Sequence, residues 1–434
     1  MTSEVFGGVA LAVLAIVAAG HIFGHVAVAL RQPQVVGQLL AGVILGPEML
    51  GRIAPAISTS LGVGAAGAQG VVVGFLYQLG LVLLMFSSGT ETTGLFGREN
   101  RREVAWLGAI GTGLPFLAVM AAATVAPLDS LLGPAGHRPA LVMVLGIAVA
   151  VTSIPFISQI FHDLGIQRTR FARLVLGVAV VEDVILWAVL AATTSLVAAG
   201  TAGGGAVGHL SRTVGFFAVG LLLMPRVMQA VTSAPWNVLA RTSPLAYIVL
   251  VLLGYTALAA VTGVSLVFAA FLAGYALTHD SRLAEATSTL GRVGFAMFVP
   301  IYFVMVGFQL QLSRGFSLWL LLAFLVPAVI VKVLAGLAGA RAAGFGWSAS
   351  MNLAIALNAR GGPGIVLATV AWDAGIVSAE FYTALVLTAV ATTQFSGVWL
   401  GRLVRLGRPL LPGSGDDAGG LAPTGPGIGG GGRS

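Results

Sequence analysis

The chain has 434 residues, 57% of them hydrophobic and only 9% charged, with a mean hydropathy of +0.99. Soluble domains carry about 25% charged residues, so this composition excludes a water-soluble globular protein and defines a polytopic membrane protein. The formal charge of +7 then bears on membrane orientation rather than nucleic acid, and the absence of cysteine excludes disulfides, thiol catalysis and cysteine-ligated zinc.

At about 20 residues per crossing, thirteen helices are predicted. They lie near 5–30, 35–51, 71–89, 104–126, 139–161, 172–198, 213–232, 243–261, 264–279, 292–312, 316–340, 348–371 and 381–403. The first lacks a basic leader and a cleavage site and reads as a retained helix. Its His21 and His25 have no acidic neighbour in sequence and read as packed or interfacial, not as a metal pair. The second helix reads Gln38-Leu-Leu-Ala-Gly42 and the ninth Ala270-Phe-Leu-Ala-Gly274; the third holds Leu84-Met-Phe-Ser-Ser-Gly89 and the tenth Val304-Met-Val-Gly307. Units that start seven helices apart enter from opposite faces, so 35–199 and 264–403 are expected to form an inverted repeat. Between the third and fourth helices, Arg98-Glu-Asn-Arg-Arg-Glu103 reads as a solvated loop.

The fifth helix carries Thr152-Ser153-Ile-Pro155, and a mid-helix proline frees carbonyls that can face a cavity beside the two hydroxyls. Its mate, the twelfth, carries Asn358-Ala-Arg360-Gly-Gly-Pro363-Gly364, a run expected to be unwound. Interrupted helices at corresponding positions point to a transport site at mid-membrane, where the two are expected to cross. The sixth helix places Glu182 and Asp183 side by side in an apolar span. Each charge there costs at least ~2.5–3.5 kcal/mol, and neighbours on a helix project about 100° apart, so the two acids need different partners. Of 22 basic residues 21 are Arg; the single lysine, Lys332, lies inside the eleventh helix. Lysine shifts its pKa on burial whereas arginine stays charged. Lys332 is therefore assigned to an ion pair with Glu182, and Arg360 to fixed positive charge near the broken helices. Asp183, with Thr152 among the neighbouring oxygens, is assigned as the hard-cation ligand. The run from Arg360 lacks the Lys-Ser/Thr of a phosphate loop.

Arginines alternate between the two sets of loops. After odd-numbered helices lie Arg31, Arg98, Arg101, Arg102, Arg168, Arg170, Arg173, Arg226, Arg241, Arg282, Arg292, Arg341, Arg402, Arg405 and Arg408; after even-numbered ones lie Arg52, Arg138, Arg212 and Arg314. By the positive-inside rule the N-terminus is expected outside and the C-terminus in the cytoplasm of a multi-pass cell-membrane protein. The transport domain is expected over 1–408, followed by a disordered Gly/Pro-rich tail over 409–434 with no nucleotide-binding or other second domain.

The paired acids of the sixth helix, the lysine of the eleventh and Arg360-Gly of the twelfth resemble the monovalent cation–proton antiporters, most closely the bacterial Na+(K+)/H+ exchanger branch. Gly46-Pro47 and Gly89-Thr-Glu91 resemble that family's patterns too, and the likeness covers about 5–405. Family members more often carry Asp-Asp or Asn-Asp at the acid pair and often Glu where this chain has Gly362. The resemblance implies a homodimer whose mobile core carries Asp183 across the bilayer, with no cofactor beyond the transported Na+ or K+ and H+. A proton and a cation competing for Asp183 give coupled exchange. Two other readings stay open: a sodium-coupled organic anion symporter, which would bind sodium through neutral oxygens, and a membrane-embedded enzyme using Glu182 or Asp183 as acid or base.

Overall fold

A computed structural model of the protein describes residues 3–30, 32–47, 49–56, 68–91, 100–201, 206–278, 280–310, 312 and 316–411. Their regular structure is helical apart from one isolated bridge between Leu132 and Val377, as hydrocarbon demands of a chain that must pair its own backbone. In order run α1 (Ser3–Ala29), α2 (Gln34–Leu45), α3 (Ala68–Glu91), α4 (Arg101–Ala122), α5 (Arg138–Ala150), α6 (Ile154–Asp163), α7 (Arg170–Thr201), α8 (Ala206–Leu222) and α9 (Met224–Ser233). There follow α10 (Pro244–Thr262), α11 (Leu266–Leu277), α12 (Ala284–Val293), α13 (Val299–Gln309), α14 (Leu318–Ala342), α15 (Trp347–Ala356), α16 (Gly361–Asp373) and α17 (Ala379–Arg405). A π-helical turn, Gly294–Phe298, joins α12 to α13.

Among the described residues ten helices, counting α2 with the short helix Leu50–Ile53, α5 with α6 and α12 with α13 as single spans, are long and apolar enough to cross a membrane, or twelve if the bent pairs α8–α9 (50°) and α15–α16 (44°) each count as one. The protein is thus a multi-pass membrane protein. The ninth expected crossing is occupied by α11, whose 12 residues fall short of a full span. Arg31, Arg98, Arg314, residues 202–205 between the sixth and seventh expected helices and the tail from 412 onward lie outside the described residues. The tail was expected to leave the bundle at 409. Instead Leu410 and Leu411 are buried and the Leu410 carbonyl accepts from Asn352 Nδ2 at 3.1 Å, so the packed chain extends to 411.

Two groups of helices pack mainly within themselves: α1–α3 with α8–α13, and α4–α7 with α14–α17. In the first group the backbones touch. A methyl at Gly42 would overlap the Val304 carbonyl of α13, and one at Gly274 of α11 would overlap the Phe86 carbonyl of α3; Gly307 and Gly89 return the same contacts. Small residues permit such approach where lipid supplies no hydrophobic drive between helices. Gly42→Val is expected to cost at least about 1–3 kcal/mol and to deplete the folded peak in size-exclusion chromatography, whereas Gly74→Val, which meets open space, should leave it intact.

The apolar core is divided unevenly. One cluster runs through the first group and takes in residues 140–151, 186–197, 365–371 and 381–389 of the second; the other holds residues of the second group alone, among them Ile157, Phe171, Leu353 and Leu400. The apolar attachment of the second group to the first therefore lies along one half of its length. On that joined half Tyr302 of α13 meets Thr369 of α16 (hydroxyl oxygens 3.1 Å apart), and Tyr77 of α3 stacks on Tyr302 with ring centroids 5.4 Å apart.

Candidate ion-binding site

Two helix interruptions cross inside the second group. α5 stops at Ala150, three residues run extended, and α6 begins at Ile154; α15 stops at Ala356 and α16 begins at Gly361. The sequence suggested a proline kink at Pro155 and unwound backbone through Gly361–Gly364. Both features instead form first turns of new helices, with the breaks just upstream. A first turn has no intrahelical acceptor for its N–H groups, so proline and glycine are tolerated there. Gly361, at φ +41°, also fits where a Cβ would strike Phe156 and Ser153.

Each interruption leaves helix ends whose backbone groups need partners, and side chains supply them. At the end of α5, Arg360 Nε donates to the Ala148 carbonyl (2.8 Å), Arg360 Nη2 to Val149 (3.2 Å) and Lys332 Nζ to Ala150. Two cations thus sit at the negative end of a helix dipole. Arg360 Nη2 also donates to Ala328 (3.0 Å) and Lys332 Nζ to Gly111 (3.3 Å). At the end of α15, Thr152 Oγ1 donates to Leu357 (2.5 Å) and Ser396 Oγ to Ile355 (2.6 Å). Ser153 Oγ accepts from Phe156 N at the start of α6, its own N–H donates to Ala359 (2.7 Å), and Thr393 Oγ1 accepts from Gly361 N (2.9 Å) at the start of α16. The Thr152 and Ser153 hydroxyls, expected to face a cavity, are engaged in capping, although Thr152 keeps its oxygen lone pairs. Lysine in place of Arg360 has no fork to span three carbonyls. Arg360→Lys should lose about 1–3 kcal/mol of stability, read as a lower unfolding temperature in detergent.

Beside the crossing, α7 carries its two acids with different fates. Glu182 Oε1 accepts from Lys332 Nζ at 2.8 Å and from Thr112 Oγ1 at 2.8 Å, and both members of the ion pair are fully buried. Asp183 is equally buried, yet among the described residues neither of its oxygens has a hydrogen-bond partner. Glu182 Oε2, Arg360 Nη1, Ser88 Oγ and both amide atoms of Asn358 are likewise buried and unpartnered. Ser88 of α3 lies beside Asp183 outside hydrogen-bond geometry, and the charge of Glu91, exposed at the end of α3, reaches it. Buried carboxylates are normally satisfied. A centre whose side chains cap these helix ends while leaving Asp183 bare among the described residues has the donor set for a hard cation or a proton.

All seven residues singled out from sequence lie in this region, with Lys332 on Glu182, Arg360 on the end of α5 and Thr152 on the end of α15. Ser153 caps α6, and the side chain of Asn358 has no hydrogen-bond partner among the described residues. Sequence reasoning passed over Thr112, Thr393 and Ser88; Thr112 in a Gly-rich stretch (Gly108, Gly111, Gly113) was the nearest available signal. On α1, the half-buried His21 bonds the Ala296 carbonyl (2.7 Å) and the exposed His25 bonds the His21 carbonyl (2.8 Å).

Interrupted helices crossing at a buried, charged centre within a membrane-spanning bundle define a secondary transporter. The chain belongs to the sodium/hydrogen exchanger family, whose transmembrane pattern matches residues 10–406. That family is one of transporters rather than enzymes. The chain is 26% identical over 397 residues to the Na(+)/H(+)-K(+) antiporter GerN of Bacillus cereus, covering 91% of this chain and 95% of that protein. It is 24% identical over 388 residues to the Na(+)/H(+) antiporter of Enterococcus hirae, covering 88% and 94%. Its fold is similar to that of the sodium proton antiporter MjNhaP1 from Methanocaldococcus jannaschii, with a TM-score of 0.60 at 17% identity over 93% of this chain and 99% of that one.

Proposed function

We propose that the protein is a secondary antiporter exchanging Na+ or K+ for H+ across the plasma membrane, with proton and cation competing for Asp183. The observation that carries this reading is the bare, buried carboxylate of Asp183 next to a Glu182 already paired with Lys332. One carboxylate holds a proton or helps to coordinate a dehydrated cation, not both. If only loaded states cross, the two fluxes are coupled. Asn358 Oδ1, Ser88 Oγ and Thr152 Oγ1 are the neutral oxygens assigned to complete the cation shell.

Alternating access is assigned to motion of the group α4–α7 and α14–α17 against the other, which its one-sided apolar attachment permits. The matched glycine contacts, Gly42 on α13 and Gly274 on α3, support an inverted repeat. The alternation of arginines supports an external N-terminus and a cytoplasmic C-terminus, and the dimer is the one implied by family resemblance. Paired intramembrane charges disfavour a sodium symporter of organic anions, and membership in a transporter family disfavours an enzyme.

The test is proton flux in proteoliposomes carrying the purified protein, with Na+, K+ and Li+ compared under a clamped potential. Flux in either direction that requires Na+ or K+ on the opposite side is expected. Proton movement indifferent to every cation, or uptake of an organic solute with Na+, overturns the reading.

A further inference from the structure

A groove of about 950 Å³ runs along the seam between α4 and α7. At one end stand Asn100, Arg101 and Arg173; beyond them the lining is almost wholly apolar, with Gly108, Val181 and Ile185 among the walls. Both arginines are exposed, and Arg173 Nη1 bonds the Arg168 carbonyl on its own loop. Missing side chains create the space: nothing lies within 4 Å of where a Cβ on Gly113 would stand, and only Val181 approaches one on Gly108. The lining runs from Arg101 to Leu117 on one helix and from Arg173 to Val189 on the other, about 24 Å at the helical rise. Half a bilayer with its headgroup layer measures about 20–23 Å. The groove is thus as long as one lipid, cationic where a headgroup would lie and apolar where its chain would run.

We propose that this groove is a binding site for an anionic phospholipid, its phosphate on Arg101 and Arg173 and one acyl chain along Gly108, Gly113 and Ile185. Basic pockets between transmembrane helices are suited to such headgroups. The chain's own tail does not suit the groove, because residues 412–434 are Gly-rich and carry only Leu421 and Ile428 as large apolar side chains. The site also reaches the charged centre. Thr112 lines the groove and donates to Glu182 Oε1, so an acyl chain there packs against a residue that holds the buried ion pair. The assignment rests on membrane insertion alone and stands or falls independently of the exchange reading.

The experiment reconstitutes the full chain in nanodiscs of equal phosphatidylglycerol and phosphatidylcholine, extracts it in mild detergent and counts retained lipid by native mass spectrometry. Wild-type protein should retain phosphatidylglycerol preferentially. Arg101→Ala/Arg173→Ala should lower that preference roughly 30-fold, at the usual strength of two surface arginines, while Arg102→Ala, outside the groove, leaves it unchanged. Gly113→Phe should expel the lipid with both arginines in place. Thermal unfolding monitors the fold, and if Gly113→Phe fails to fold, the surface arginine pair carries the test by itself. Equal retention of the two lipids by the wild type, or an unaltered preference in the arginine variant, overturns the proposal. A folded Gly113→Phe that keeps the lipid also overturns it. So does one that splits a dimer without losing lipid, which would make the groove a seat for a second copy.

Discussion

Asp183→Asn is expected to reduce cation-driven proton flux in proteoliposomes to the background of empty liposomes while leaving the protein folded. The two halves of this expectation come from one fact. Asp183 is fully buried and, among the described residues, its oxygens have no hydrogen-bond partner, so the charge contributes nothing to holding the fold. Burying an unpaired ionised carboxylate is costly, and the neutral, nearly isosteric amide removes that cost. The unfolding temperature of Asp183→Asn should therefore equal or exceed that of the wild type. An amide cannot take up a proton near neutral pH and presents one oxygen without charge, so under the proposed competition both ligands lose their site. Flux is read from a pH-sensitive dye with Na+ or K+ added outside. Persistent flux in the variant removes Asp183 from the cycle, and an unfolded variant removes the claim that its charge is structurally idle.

Lys332→Ala is expected to behave in the opposite way, with its largest effect on stability. It leaves Glu182 in the interior with Thr112 as its one hydrogen-bond donor among the described residues, and breaking one side of a buried ion pair costs about 3–5 kcal/mol. Replacing both members with apolar residues of similar volume, Glu182→Leu with Lys332→Met, removes the stranded charge and should recover most of the loss. Recovery should stop short of wild type, because the Ala150 and Gly111 carbonyls lose the donor they share and an unpaired buried carbonyl costs about 1–3 kcal/mol. Folded yield by size exclusion and thermal unfolding of the two single variants and the double one measure this. A double variant no better than Lys332→Ala would mean that Lys332 stabilises the fold through the helix end alone and not through Glu182.

What could be read from sequence followed from cost. Glu182, Asp183 and Lys332 stood out because an ionised side chain inside an apolar span is expensive enough to demand a reason, and the lone lysine among arginines pointed to a partner. Hydroxyl residues carry no such mark. Thr112, Thr393 and Ser396 sit in apolar helices where threonine and serine commonly bond their own preceding turn, and only the crossing of distant segments shows which one caps which helix end. Proline and glycine misled in a definite way. Pro155 and Gly361–Gly364 each signal a discontinuity, but the same residues suit the first turn of a helix and a break within one. Sequence placed the interruptions within a few residues, and it could not decide on which side of the proline the helix resumed. The short α11 shows another limit, since a run of uncharged residues sets no boundary between neighbouring helices.

The four charges at the crossing have an electrical consequence. With Glu182 and Asp183 ionised and Lys332 and Arg360 protonated, the empty centre is neutral as a whole. A proton on Asp183 makes it singly positive, and so does a bound Na+ or K+. In the proposed cycle, while Lys332 keeps its proton, the membrane field would therefore meet the same charge on the outward and the inward journey. A potential of 100 mV acts on an elementary charge with about 2.3 kcal/mol, and over such a cycle the work done one way is returned the other. Voltage would then leave the balance point of exchange unmoved, and only the two concentration ratios would set it. If cation entry instead drew Glu182 away and released a second proton from Lys332, the cation-loaded centre would be neutral and the proton-loaded one positive, and the same protein would run on voltage as well.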